Sequence, residues 1–227
     1  MFRRHFKWFA VASLAVLVHT APATYAVPLS TLTSGGTLTC GDKYFNDFTY
    51  LATGDMPTAY NVNVVCITLN GNLGIRIQGG FNDLPGGGAS DALLTYTVSV
   101  VGSSNLITDA HITGNPDIIP PPHLGGSGVI SVTDTWSEFP NDTISIFKIQ
   151  FPPVLVSAQG SDSIIFSHPV HALHAQKDIF GLGVTGVATL SFIDQTYSQT
   201  GVPEPATLGL LGIGLLGLVG YSRRRRR

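Results

Sequence analysis

The chain has 227 residues, with 12 Lys and Arg against 14 Asp and Glu and a formal net charge of −2. Eight of the basic residues sit at the two ends, so residues 27–202 hold only Lys43, Arg76, Lys148 and Lys177 against thirteen acids, a net charge of −9. Four cations cannot neutralise many phosphates, which excludes nucleic acid as a partner, and 176 residues fill one hydrophobic core without requiring a second.

Residues 1–26 open with Arg3, Arg4 and Lys7, continue through an apolar stretch from Phe9 to Val18 and finish Thr24-Tyr25-Ala26. This is the pattern of a secretory signal peptide, which export machinery would engage and a signal peptidase would cut near Ala26. Arg3-Arg4-His5-Phe6 matches a twin-arginine signal only in part, because Phe2 precedes the pair and Lys7 follows the phenylalanine. Cys40 and Cys66 are the only cysteines. In the oxidising compartment an exported chain meets, they are expected to form a disulfide. Closing a loop of about 25 residues contributes roughly 3–4 kcal/mol on a chain-entropy argument. The competing reading is two buried thiols on neighbouring strands.

From Lys43 to Phe192 the chain alternates polar and apolar residues, as in Thr95-Tyr96-Thr97-Val98-Ser99-Val100, Ile130-Ser131-Val132-Thr133, Thr143-Ile144-Ser145-Ile146 and Val187-Ala188-Thr189-Leu190-Ser191-Phe192. A period of two marks half-buried strands. Further strands are expected over 43–51, 60–69, 73–78, 106–112, 154–158 and 177–182, about ten in all, separated by turn residues. With no long amphipathic helix to cross a parallel sheet, residues 27–202 are expected to be all-β, one antiparallel β-sandwich or jelly roll. Two Pro- and Gly-rich stretches, 82–91 (NDLPGGGASD) and 114–128 (GNPDIIPPPHLGGSG), are expected to be surface loops. No fixed-period repeat supports a solenoid or propeller.

Chemistry-bearing residues are sparse. His168, His171 and His174 recur every third residue, which would gather imidazoles on a helix but alternates them across a strand. Pro169 and the lack of a nearby Cys, Asp or Glu argue for an exposed loop instead of a metal site, and His111 and His123 would join only through tertiary folding. Gly86-Gly87-Gly88-Ala89-Ser90-Asp91 departs from the calcium-repeat pattern at Ala89. Glu138 is the only glutamate of residues 27–202, and the recognisable serine-hydrolase, phosphate-loop and zincin motifs are absent. The expectation is therefore no enzyme, no metal and no cofactor, with a secreted hydrolase as the weakest alternative. Trp136, Tyr44, Tyr50, Tyr60 and Tyr96 supply flat faces for sugar, although aromatics in strands more often pack in cores. The threonine pairs Thr31 and Thr33, Thr37 and Thr39, and Thr95 and Thr97 are the kind of array ice binding needs, but their irregular spacing matches ordinary strand propensity.

The C-terminus is the most distinctive segment. Pro203-Glu204-Pro205 holds Glu204 between two prolines that bias the backbone toward extended geometry. Ala206 to Tyr221 (ATLGLLGIGLLGLVGY) has no charge and no proline, so a helix there satisfies its own backbone within lipid. At 1.5 Å per residue it spans roughly 24 Å, short of the roughly 30 Å hydrocarbon core. Arg223, Arg224, Arg225, Arg226 and Arg227 then form a basic stop expected on the cytoplasmic side.

This tripartite ending resembles the PEP-CTERM sorting signal of Gram-negative bacteria. Cys40-Gly41-Asp42-Lys43 with Phe45-Asn46-Asp47-Phe48, and Lys177-Asp178-Ile179 with Ser191-Phe192, look like passages common in the passengers of that family. The resemblance implies export and an inner-membrane-anchored precursor, then processing by an exosortase-type enzyme and release at the cell surface or outside. It also implies a link to exopolysaccharide and biofilm. The expected body is structural or adhesive, with a carbohydrate-binding or ice-binding module as alternatives.

Overall fold

The computed structural model describes residues 25–102, 105–121 and 125–201. The expected signal peptide before Tyr25, His123, the Pro203-Glu204-Pro205 motif, the apolar helix and the arginine run lie outside these residues. In chain order the elements begin with β1 (Val27–Pro28), the five-residue helix α1 (Leu29–Thr33), β2 (Leu38–Cys40), β3 (Lys43–Thr53), β4 (Asn63–Leu69) and β5 (Asn72–Asp83). They continue with β6 (Ser90–Val100), β7 (Asn105–Gly114), β8 (Asp117–Ile119), β9 (Gly128–Trp136) and β10 (Phe139–Phe151). The last are β11 (Leu155–Gln159), β12 (Ser161–Val170), β13 (Ala172–Gly183), β14 (Val187–Tyr197) and β15 (Gln199–Gly201).

Two antiparallel sheets result, and they form the expected sandwich. One has eight strands, with β1-β4-β5-β14-β7-β12 bonded in that order, β15 on β7 and β8 on β14. The other has seven, in the order β11-β10-β9-β13-β6-β3-β2. Alternation decides which residues face inward. On β6, Ala92, Leu94, Tyr96 and Val98 are buried while Leu93, Thr95, Thr97 and Ser99 face out. The core closes Phe45, Leu94, Val132 and Ile146 of the seven-stranded sheet against Ile75, Ile77, Ile112 and Ile193 of the eight-stranded one. Each fully buried side chain of this kind contributes about 1.5–3 kcal/mol relative to exposure. Asn70-Gly71, both at positive φ (52° and 86°), close the β4–β5 hairpin, as a two-residue turn that matches strand twist requires.

Several boundaries differ from the sequence expectation. The strand expected from Tyr60 starts at Asn63, because Ala59–Asn61 is a single 3-10 turn. The 82–91 loop shrinks to 84–89: Asp83 is buried and its carboxylate accepts from Gly183 N at 2.6 Å and from Ser90 Oγ, which extends both flanking strands. β8 forms inside the expected 114–128 loop by pairing with the start of β14. β12 occupies the stretch around His168 that was expected to be a loop. It is the edge of its sheet, where Pro169 removes no needed ladder bond, and its register shifts between Ile165 and Val170.

Two features tie the sheets together beyond apolar packing. Cys40 on β2 and Cys66 on β4 form the expected disulfide, with Cα atoms 5.2 Å apart, and it crosses from one sheet to the other. In the middle of the core, Lys177 on β13 lies opposite Asp134 on β9 and donates to its Oδ2 at 2.5 Å, while reaching across to Gln195 Oε1 on β14, also at 2.5 Å. Lys177 is 0% and Asp134 1% exposed. Burial pushes the Asp134 carboxyl up and the Lys177 ammonium down, and their mutual attraction only partly opposes this. Beside them the Tyr96 and Tyr197 hydroxyls meet at 2.9 Å across the sheets.

Replacing both cysteines by serine is expected to lower the unfolding free energy by about 3–4 kcal/mol, read as a drop in urea midpoint that reductant reproduces in the unmodified protein. Lys177→Met alone strands a buried carboxylate and is expected to cost about 3–5 kcal/mol. Adding Asp134→Leu to Lys177→Met should recover most of that loss in the same titration.

Candidate functional site

The sequence singled out histidines, aromatics, threonines and the C-terminal motif, and the fold separates them. His168 lies on β12 against the Phe139 ring (5.0 Å between centroids), His171 sits in the turn after it, and His174 on β13 is 3.3 Å from Thr97 Oγ1. No cluster of three or more metal-ligating side chains occurs among the described residues. His111 Nε2 lies 3.1 Å from Asp109 Oδ1 and 3.3 Å from Ser198 Oγ. A catalytic relay needs Ser and Asp on opposite ring nitrogens, and here one nitrogen meets both. Glu138 accepts from the backbone N of His174 at 2.9 Å, a structural use. The sequence reading missed one carboxyl pair, Asp91 and Asp178 on neighbouring β6 and β13. Burial, then the hydrogen bond and like charge of Asp91, push the Asp178 carboxyl up.

Trp136 does not supply a sugar platform. It occupies the inward phase of β9, is 2% exposed and packs edge-on against Phe166. Tyr96 is fully buried, Tyr50 spends its hydroxyl on Pro57 O at 2.8 Å, and Tyr44 is half-buried. Tyr60 alone of the five is largely exposed, at 82%.

Thr31 and Thr33 fall on α1, and Thr37 precedes β2, so those pairs make no face. Thr95 and Thr97 do share the outer face of β6. Strand register adds what sequence spacing hides, a row Thr49–Thr95–Gln176–Thr135–Thr143 across five strands, with Thr49 and Thr95 hydroxyls 2.7 Å apart.

The best-built polar site is where the described chain ends. β15 pairs with β7, Gln199 opposite Ile107 and Gly201 opposite Asn105. Lys43, 1% exposed, donates to Gln199 Oε1 at 2.7 Å and to Asp42 Oδ1 at 2.9 Å, and Gln199 Nε2 donates to Asp42 Oδ2. Burial works to raise the Asp42 carboxyl, and the hydrogen bonds from Lys43 and Gln199 outweigh it, holding it below the usual value. The last strand of one sheet is thus clamped to the Asp42-Lys43 corner of the other, beside the Cys40 bridge. In sequence only Val202 separates this strand from Pro203.

No curated protein matches the chain. A solved structure described as TmCBM61 in complex with beta-1,4-galactotriose is similar at 11% identity over 66% of this chain and 88% of that chain, with a TM-score of 0.29, too low to carry an argument. Residues 201–227 match the family model described as the PEP-CTERM protein-sorting motif, a span that starts on the last residue of β15 and takes in Pro203, Glu204, Pro205 and Arg223 to Arg227. That motif implies export, a membrane-anchored precursor and processing by exosortase-type machinery.

Proposed function

We propose that the acidic sandwich of residues 27–202 acts without catalysis, as a structural or adhesive component of the extracellular matrix, once signal peptidase and an exosortase-type enzyme have removed the two ends. The observation that carries this reading is the attachment of the sorting motif to a strand locked into a disulfide-linked body. A body stapled between sheets and held at its exit strand keeps its fold when the chain beyond Gly201 is cut. Three of its four cations are committed to internal pairs: Lys43 with Asp42, Arg76 in a two-pronged bond to Asp194 (2.6 and 2.7 Å), and Lys177 with Asp134. The acidic remainder favours solubility outside the cell and disfavours polyanions.

Pro203→Ala or Glu204→Ala in the full chain is expected to leave unprocessed precursor in the inner-membrane fraction, read by immunoblot against an epitope in the body; normal processing of both variants would remove the exosortase assignment. Gln199→Ala leaves the buried Lys43 ammonium short of one acceptor and is expected to cost about 1–3 kcal/mol. Hydrogen exchange should quicken more at 199–201 than in β9.

A further inference from the structure

We propose that the outer face of the eight-stranded sheet carries a binding groove for a neutral polyhydroxylated polymer, an uncharged polysaccharide. This deepens the matrix reading and rests on it. The groove, about 440 Å³, runs from the Asn70-Gly71 turn to β12, within the range of roughly 300–1,000 Å³ typical of small-molecule sites. Its accessible polar surface is Asn70, Asn72, His111, Thr113, Ser161 and Ser163, while Thr196, which also lines it, is only 2% exposed.

Register explains why these side chains converge. Across the sheet, Ile67, Gly74, Thr196, His111 and Ser163 form one row from β4 to β12. Gly74 is the second member of the row, and a Cβ there would lie 1.9 Å from Gln195 O. Glycine therefore permits the close approach of β5 to β14. Where the row crosses β5, β14 and β7, backbone donors and acceptors are already in ladders and side chains supply the contacts; the row ends on the edge strand β12. What remains is hydroxyl, amide and imidazole.

The chemistry selects the ligand class. Hydroxyl and amide groups each offer both donors and acceptors, as sugar hydroxyls do, and Leu69 gives an apolar wall. Asp162, the carboxylate in the groove's lining, and the nearby Asp109 and Arg76 already have hydrogen-bond partners. Asp162 accepts from Ser145 N and Ser163 N, both at 2.9 Å; Asp109 accepts from Ser198 N at 2.8 Å and faces His111; Arg76 is spent on Asp194. His111, fixed between Asp109 and Ser198, is pre-oriented, which lowers the ordering cost of binding. A body of net charge −9 repels polyanions, which leaves uncharged polymers.

The test uses the full chain purified in detergent and passed over immobilised dextran, galactomannan, arabinogalactan and β-glucan, with alginate as the polyanion. Retention on at least one neutral polymer is expected, weakened at least tenfold by Thr113→Trp and by Ser163→Trp, the second at an exposed position that tolerates bulk. Gln176→Trp, on the outer face of the other sheet, should change nothing. Retention on no neutral polymer, on alginate alone, or unchanged by both groove variants with urea midpoints intact would overturn the proposal. None of these outcomes depends on tail processing, so the groove and the sorting reading fail separately.

Discussion

A sheet whose strands alternate apolar and polar residues has one face that water will not tolerate, and this body exists because two such faces close on each other. Everything else is fitted to that closure. The inward phase of β6, β9 and β13 supplies one wall, and β5, β7 and β14 supply the other. Within the closed space the Lys177–Asp134–Gln195 cluster is costly to desolvate and adds little net stability against an apolar replacement. Its geometry, one residue from each of β9, β13 and β14, fits a role in fixing the register of the sheets. Asp134 Oδ1, Trp136 Nε1 and Gln195 Nε2 find no protein partner among the described residues, which marks this cluster as the most demanding point of the interior.

The molecule has two unlike ends. At one, the Cys40–Cys66 bridge, the Asp42-Lys43 corner and β15 converge where the chain leaves for its sorting motif. At the other, the 84–89 segment, the Gly125-Gly126-Ser127 stretch and the β13–β14 turn gather, joined by bonds such as Ser127 N to Thr185 Oγ1 at 2.9 Å. Rigid attachment of the sorting motif therefore belongs to the tail end.

How much of this was readable follows from what each residue contacts. Strands with one wholly buried face, such as β6 and β9, announced themselves by alternation, and Asn70-Gly71 lies where a hairpin turn demands it. β12 did not, because an edge strand exposed at most positions has no apolar period, and its Pro169 argued for a loop. Trp136, offered as a sugar face against the commoner core packing, takes the core role; two residues from Asp134 on the same strand, it shares the inward face. The disulfide was legible from a cysteine count of two, but its role as a bridge between sheets was not. The clamp was illegible because Lys43 and Gln199 lie 156 residues apart, and the groove because its side chains come from five separate strands and one turn. The sorting motif needed no folding to be read, since the length of an apolar stretch, its lack of charge and its basic end are properties of the sequence itself.

The account rests on an exported body delivered by a removable tail, and intact mass of the endogenous protein from each cell fraction tests it most directly. The account predicts an extracellular or surface species that lacks the residues before Val27 and the arginines Arg223 to Arg227, and that is two hydrogens lighter than the reduced chain. A sole species at full-length mass, recovered from the cytosol with both thiols free, would contradict it.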